Sequence, residues 1–398
     1  MRKSLAPLLI TVLVMYSAQQ LLTPILAPLS RELALTETQL GLVITIAAAA
    51  LTVSSPLWGR ALDTIGLRRV LLAGLALCTT GLAGFAVVSS LGLDETLTPG
   101  PTFTLMLVFR SLIFGAGLAA LPVAALAVAG TATTDEAERT RAVGLVGAAQ
   151  GLSIVIGPAA GGVLAVFSLL LPLYLAPAIA AVLALWVGIG VKPAAVERPQ
   201  QTVRSRPWEL WPVFGVGFLM YLSLGLVQVI VGFLVADRLH LDSRATAGTV
   251  GVVLFVAGIG LVATQGALVP KLKWPAARLM RVGAPIALAG YGILTFASTT
   301  WLMAAAFLVT SVGLGLAVAG FAAAASLGVG REHQGSIAGL VNATTGLTFI
   351  LGPLLSTALY EVEPVVPVIA AAVAAALAFV LSLRKPRSAD LTLVERPA

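Results

Sequence analysis

Uncharged apolar runs of about 20 residues, each long enough to cross a bilayer as a helix, recur from end to end of this chain and constrain its fold more than any other feature. Bounded by charges or turn residues, they fall near 6–29, 38–58, 69–90, 103–128, 141–166, 169–191, 210–236, 247–270, 279–298, 301–329, 335–360 and 364–383. Only 10% of the 398 residues are charged and the mean hydropathy is +1.02, far from what a soluble domain needs to coat its surface. Period-2 segments are too few for a barrel. The expected class is an all-α integral membrane protein with about twelve spans. Met1-Arg-Lys before the first run resembles a signal peptide, but the run is long and further spans follow, so an uncleaved first helix is expected. The net charge of +7 is scattered over short loops rather than gathered in a patch, which argues against nucleic acid. The single cysteine, Cys78, sits in an apolar run as a small filler.

Basic residues fix the expected orientation. The loops on the side of both termini carry twenty Lys and Arg, and the opposite loops carry Arg31, Arg238 and Arg244 alone, so both termini are expected in the cytoplasm. The polar, proline-rich stretch 192–208 reads as a cytoplasmic linker between a bundle over 1–191 and another over 209–384, with 385–398 as a short tail. The loop 91–102, with Asp94, Glu95 and two prolines, is expected to be irregular.

An internal repeat supports two halves. Residues 144–162 and 339–357 align without a gap at an offset of 195, with eight of nineteen positions identical, among them Gly151/Gly346, Gly157/Gly352 and Pro158/Pro353. Gly144, Gly147 and Gly151 share a helix face suited to close backbone packing. Pro158 cannot donate to the Ile154 carbonyl, nor Pro353 to that of Phe349, so both helices are expected to bend. With Gly161 and Gly162 added, these positions form a candidate hinge or sliding interface for alternating access.

Two further sites stand out. Between the second and third runs lies Gly59-Arg-Ala-Leu-Asp63-Thr-Ile-Gly66-Leu-Arg68-Arg69, where Gly59 is expected to open a turn, Asp63 to accept backbone N–H groups and Gly66 to permit reversal. Arg68 and Arg69 would face anionic headgroups or a partner carboxylate. Arg110 lies about seven residues inside its run, roughly 10 Å deep, where an ionised side chain is usually functional, with snorkelling to the interface as the alternative. Its counterpart in the second half, at an offset of 200, is Thr310.

The pattern G-x-x-x-D-x-x-G-x-R-R between spans two and three resembles motif A of the major facilitator superfamily. Arg110-Ser-Leu-Ile-Phe-Gly-Ala-Gly117 is similar to the family's arginine motif, and Gly157-Pro-Ala-Ala-Gly-Gly162 to motif C of its drug:proton antiporters. Arg331-Glu-His-Gln-Gly-Ser-Ile-Ala-Gly339 looks like the twelve-span tetracycline and multidrug exporters. The resemblance implies two six-helix bundles rocking about a central cavity, with Asp63 in a conformational latch, Arg110 and Asp63 in proton coupling, and the Gly-Pro helices at the interface.

The chain departs from that pattern where a titratable cavity carboxylate is expected. No Asp or Glu sits deep in any span, and the first span carries Gln19 and Gln20, which cannot titrate. Glu32, Glu37, Asp63, Glu209 and Asp237 are the carboxylates near span ends. Gln19, Gln20, Gln150, Tyr221, Gln228, Gln265 and Asn342 are the candidate cavity residues, with interhelical hydrogen bonding as the alternative for each. A neutral, zwitterionic or anionic amphiphile suits such a cavity better than a cation. No metal cluster, catalytic triad, phosphate loop or redox cysteine pair is evident, so no cofactor and no enzymatic activity are expected, and transport would draw on a gradient rather than ATP. The expected function is proton-coupled export of drug-like molecules by a membrane-embedded chain able to act as a monomer. A facilitator or symporter for a sugar, nucleoside or similar metabolite is the nearest rival, and a non-transporting sensor the more distant one.

Overall fold

A computed structural model describes residues 2–131, 136–190, 210–328 and 334–384. Among the described residues, eleven helices are long and apolar enough to cross a membrane: Leu5–Glu32, Glu37–Ile65, Leu67–Leu93, Pro99–Ala129, Ala142–Phe167, Leu170–Gly190, Trp211–Gln228, Ser243–Leu272, Ala276–Phe296, Thr300–Leu327 and Gly339–Val362. Val366–Ser382 is a shorter apolar helix of 17 residues. At about 1.5 Å per residue it reaches roughly 25 Å, close to the thickness of hydrocarbon, so it completes a set of twelve. The stretch 192–208 and the tail 385–398 lie outside the described residues.

Short polar turns set where the helices end. Ser168 Oγ accepts from the Leu170 amide at 3.2 Å, and Thr299 Oγ1 accepts from Leu302 at 3.3 Å, so both narrow breaks are capped turns. The expected irregular loop over 91–102 is mostly helix. The third span runs to Leu93, Glu95 turns the chain with φ +57°, and Pro99 opens the fourth span, where its missing N–H costs nothing.

Consecutive spans alternate in direction, which gives the bundle two faces. One carries Arg31, Glu37, Asp237 and Glu361 and is called the Arg31 face below; the other carries Asp63 and Gly66. Two apolar cores lie side by side. One gathers buried residues from Leu8 to Val187 together with Ala247, and the other gathers Val213 to Ala378 together with Ala27 and Leu40. The three crossovers come from the Arg31-face ends of the first, second and eighth spans, so the halves are knitted at that face.

Four helices depart from regularity. The first span pauses at Leu21-Leu22 and the seventh at Val229-Ile230 before continuing as Val231–Leu239. In the first case Pro24 removes the donor that would bond the Gln20 carbonyl. Gln20 and Gln228 are thus the last residues before matching breaks. The fourth span contains a π segment, Leu107–Ile113, and the eighth another, Thr264–Leu268. Pro158 and Pro353, by contrast, sit inside uninterrupted helices, Glu136–Phe167 and Gln334–Val362.

Candidate transport pathway

The Arg31 face is closed by contacts between the halves. Arg31, at the end of the first span, makes a two-point ion pair with Asp237, with Nη2 to Oδ2 at 2.9 Å, and reaches Glu37 at 3.2 Å. Its guanidinium also lies 4.9 Å from the centre of the Phe233 ring. Tyr360 Oη donates to Asp237 Oδ2 at 2.6 Å, and the Thr38 amide donates to Glu361 at 2.8 Å. Deeper in, Thr45 Oγ1 donates to the Ile350 carbonyl at 3.0 Å. Four spans, two from each half, therefore meet in one polar plug.

Beneath the plug, the repeated Gly-Pro stretches do equivalent work. A Cβ on Gly251 of the eighth span would lie 2.6 Å from Gly162 Cα and 3.1 Å from the Pro158 carbonyl. In the other crossing, a Cβ on Gly41 of the second span would lie 3.0 Å from the Pro353 carbonyl and would overlap Thr357. Gly162 and Thr357 are the same repeat position, and each presses a glycine of the opposite half. Five residues earlier, Gly157 packs on Ser17 and Gln20 of the first span, while Gly352 packs on Gly225 of the seventh. Gly161 approaches the Leu21 carbonyl as closely. One helix face thus grips its own bundle and the next grips the other bundle, so the glycines act as bearing surfaces rather than as breaks.

Toward the Asp63 face the same helices part. Among the described residues nothing lies within 4 Å of a Cβ placed on Gly144, Gly147, Gly151, Gly266, Gly339 or Gly346. The close packing expected along Gly144, Gly147 and Gly151 is therefore absent in this state. Those positions lie on the side where the halves diverge, and the close approach is transferred to Gly157, Gly161 and Gly162.

Polar side chains gather where the two regimes meet. Tyr16 of the first span lies within polar reach of Gln150 of the fifth, and Tyr221 of the seventh within reach of Thr345 of the eleventh. Gln150 and Thr345 are again one repeat position, so each half ties its first helix to its fifth at this level. Ser17 Oγ and Gln19 Oε1 are buried without a hydrogen-bond partner, and Gln20 accepts only a long bond of 3.4 Å from Thr23. Gln228 is half-buried at its helix break, whereas Gln265 and Asn342 are exposed. Arg110 is buried at 6% exposure inside the π segment. Counted from Pro99, where the helix begins, it lies eleven residues in, about 16 Å at 1.5 Å per residue and deeper than its apolar run suggests. Phe114 covers the guanidinium at 4.6 Å, Nε has no hydrogen-bond partner, and Cys78 lies within electrostatic reach of both Arg110 and Tyr16. Nothing in the hydropathy pattern announces the π segment. Its sequence correlate is Gly81, where a Cβ would meet the Phe109 carbonyl and the Phe114 amide at 2.7 Å.

A family model described as Major Facilitator Superfamily matches residues 8–353 and 213–398. The chain belongs to the Major Facilitator Superfamily. Its sequence is 27% identical over 367 residues to a class G tetracycline resistance protein of Vibrio anguillarum, covering 86% of each chain. It is 29% identical over 364 residues to the class C protein of Escherichia coli, covering 85% of each. Multidrug resistance protein 2 of Bacillus subtilis (strain 168) is 24% identical over 375 residues, covering 89% of this chain and 88% of the relative. Among solved structures, the nucleoside transporter NupG (D323A mutant) superposes with a TM-score of 0.70 at 14% identity, covering 95% of this chain and 98% of that one. A bacterial homologue of the iron transporter ferroportin in its inward-facing state superposes with a TM-score of 0.70 at 17% identity, covering 96% and 100%. These two share its fold.

In this superfamily member the loop between the second and third spans is tighter than its glycines suggest. Gly59 lies inside the helix Glu37–Ile65 rather than at a turn. Gly66 alone joins the two helices, with φ +81°, a conformation costly for any residue bearing a Cβ. Asp63 is exposed in the last turn before it, and Arg69 is exposed just after. Arg68 turns inward instead, donating from Nη2 to the Gly188 carbonyl at the end of the sixth span. A cation satisfying the last carbonyls of a helix is favoured by the helix dipole, which explains why Arg68 is not held outward toward headgroups or a carboxylate.

Proposed function

We propose that the chain is a secondary exporter of drug-like or amphiphilic small molecules, working by alternating access and driven by proton exchange. The observation that carries this proposal is the paired crossing of Gly162 on Gly251 and of Thr357 on Gly41, which closes one face in two pseudo-symmetric places while the equivalent helices part toward the other. A rocking of the two bundles about these bearings would break the Arg31–Asp237 plug and bring the Asp63 ends together. Asp63 and Arg69 then serve as the latch of the opposite state, with Gly66 holding their loop. The excess of basic residues on the Asp63 side favours a cytoplasmic position for that face and both termini, and in that orientation the conformation described opens inward from a plasma membrane. The names of the tetracycline and multidrug relatives favour a drug-like cargo.

Two bundles over 1–191 and 209–384, joined by the stretch 192–208 and ending in a tail over 385–398, suffice for this cycle in a single chain. Gln19, Gln20, Gln150, Tyr221 and Gln228 would form the polar lining at mid-depth, with Asn342 and Gln265 nearer the open side.

The test is efflux from cells and inverted vesicles. In a pump-deficient host, expression should raise resistance to part of a broad drug and dye panel. In inverted vesicles, an acid-inside gradient should drive uptake of the same compounds, and Asp63→Asn should abolish it. Uptake that ignores the proton gradient would remove proton exchange from the proposal, and preferential uptake of sugars or nucleosides would replace the exporter with a metabolite carrier.

A further inference from the structure

Arg110 is a cation without a counter-ion among the described residues. Among the described residues the ion pairs are those of Arg31 with Glu37 and Asp237, on the far side of the plug. None of the spans carries a deep Asp or Glu. A guanidinium in hydrocarbon is stabilised by pairing or hydration, and one held about 16 Å from the helix start cannot reach the interface with its own side chain. Snorkelling is thus excluded by depth and by the burial of its Nε, which has no hydrogen-bond partner.

The surroundings are arranged to hold the charge rather than to neutralise it. The π segment widens the helix at Arg110, and Ser111 Oγ anchors that turn by donating to the Val43 carbonyl at 2.6 Å. Gly81 lets the third span close behind it. The Phe114 ring, at 4.6 Å, covers the guanidinium with a weak π partner that does not occupy its in-plane N–H groups, and Nε has no hydrogen-bond partner among the described residues. Tyr16, within reach of the same Cys78 that neighbours Arg110, belongs to the first-to-fifth span tie with Gln150, and Ser17 and Gln19 beside it hold buried polar atoms with no partner. At the counterpart position 200 residues on, Thr310 Oγ1 is buried and unpartnered among the described residues too, but uncharged, so the charge is confined to one half.

We infer that the transported molecule carries an anionic group, of the carboxylate or sulfonate class, that docks on the free N–H edge of Arg110, with its apolar body directed into the cavity between the halves. A carboxylate accepts from adjacent guanidinium N–H groups in a charge-assisted pair, which a neutral ester of the same shape cannot match. Naming the ligand as cargo rests on the exporter proposal; the binding site itself does not.

The experiment uses the full chain in lipid nanodiscs and three probes of one shape: naphthoate, its methyl ester and naphthylmethylamine. Binding is measured by equilibrium dialysis and by the shift in thermal melting. Naphthoate should bind at least about ten-fold more tightly than the ester, the amine should bind most weakly, and the preference should weaken in Arg110→Lys and vanish in Arg110→Gln. Equal binding of acid and ester to the unaltered chain overturns the inference even where Arg110→Gln fails to fold, as does failure of naphthoate to bind at all. Survival of the acid preference in a folded Arg110→Gln protein overturns it equally. Absence of any anion preference in the unaltered chain, with its gradient-driven export intact, sinks this inference alone. An intact preference with no export of any compound instead sinks the exporter and leaves the Arg110 site standing.

Discussion

Asp237→Asn removes one charge from the centre of the Arg31-face plug while keeping its shape, and it should shift the balance between closed and open states measurably. The carboxylate meets Arg31 at two points and accepts from Tyr360 at 2.6 Å. Both members of the ion pair are about one-third exposed, 35% for Arg31 and 34% for Asp237, so solvent screening holds the pair to about 1 kcal/mol. Weakening the Tyr360 bond from a charged to a neutral acceptor adds roughly 0.5–1.5 kcal/mol. The closed state should lose about 1.5–2.5 kcal/mol, a roughly 10- to 70-fold rise in the ratio of open to closed molecules. Spin labels at Thr96→Cys and Ser298→Cys report this directly, because both positions are exposed on the Arg31 face and belong to opposite halves. Cys78, the native cysteine, is replaced by alanine so that no third label competes. The expected result is a second, longer distance population in Asp237→Asn, with Arg31→Gln giving a similar shift and the double variant little more, since the two share one interaction. A distance distribution unchanged in all three variants would refute the latch.

The pH dependence of that latch follows from Asp237, which lies just past the seventh apolar run, 210–236, at the partly exposed Arg31 face. Partial burial pushes its carboxyl up, but the hydrogen bonds from Arg31 and Tyr360 and the charge of Arg31 outweigh this and hold it below the ordinary carboxylate range. With the closed-state pKa lowered, the stabilisation is fully present above the ordinary value of about 3.9 and is lost as pH falls through the depressed one, so label distances should stay flat from about pH 8 to pH 5; a transition centred near pH 6 would contradict the assignment. Gly41→Leu should prevent closure and favour the open Arg31 face, and Thr357→Gly should restore part of it by removing the atoms the new side chain strikes. Gly81→Val should lower stability by about 1–3 kcal/mol, read as a fall in melting temperature, because the added atoms meet backbone on the π segment. Gly151→Leu should leave the melting temperature of this form, closed at the Arg31 face, unchanged, since its space is free here, yet slow transport if the proposed convergence of the Asp63 ends fills that space.

Local chemistry determined much of this protein from sequence. Twelve spans follow from the length of the apolar runs, the two-half plan from the repeat at 195 residues, and the tight reversal at Gly66 from the one residue type that accepts its φ. Arg110 stood out because charge in an apolar run is costly wherever the run folds. Tertiary structure alone decided which partners those residues meet. The Arg31–Asp237 pair joins positions 206 residues apart, and neither residue's local sequence encodes the other. Gly151 and Gly162 look alike in a hydropathy plot, yet one faces open space and the other a glycine of the opposite half. Breaks at Leu21 and Val229 and the π turn around Arg110 leave the apolar pattern intact, because one added residue in a uniformly apolar helix changes no periodicity. Arg68 reads as a surface cation until the end of the sixth span arrives beside it. Hydropathy records how each segment partitions between water and lipid, while the face that closes depends on a few kcal/mol of contacts between distant helices, and only their packing supplies that.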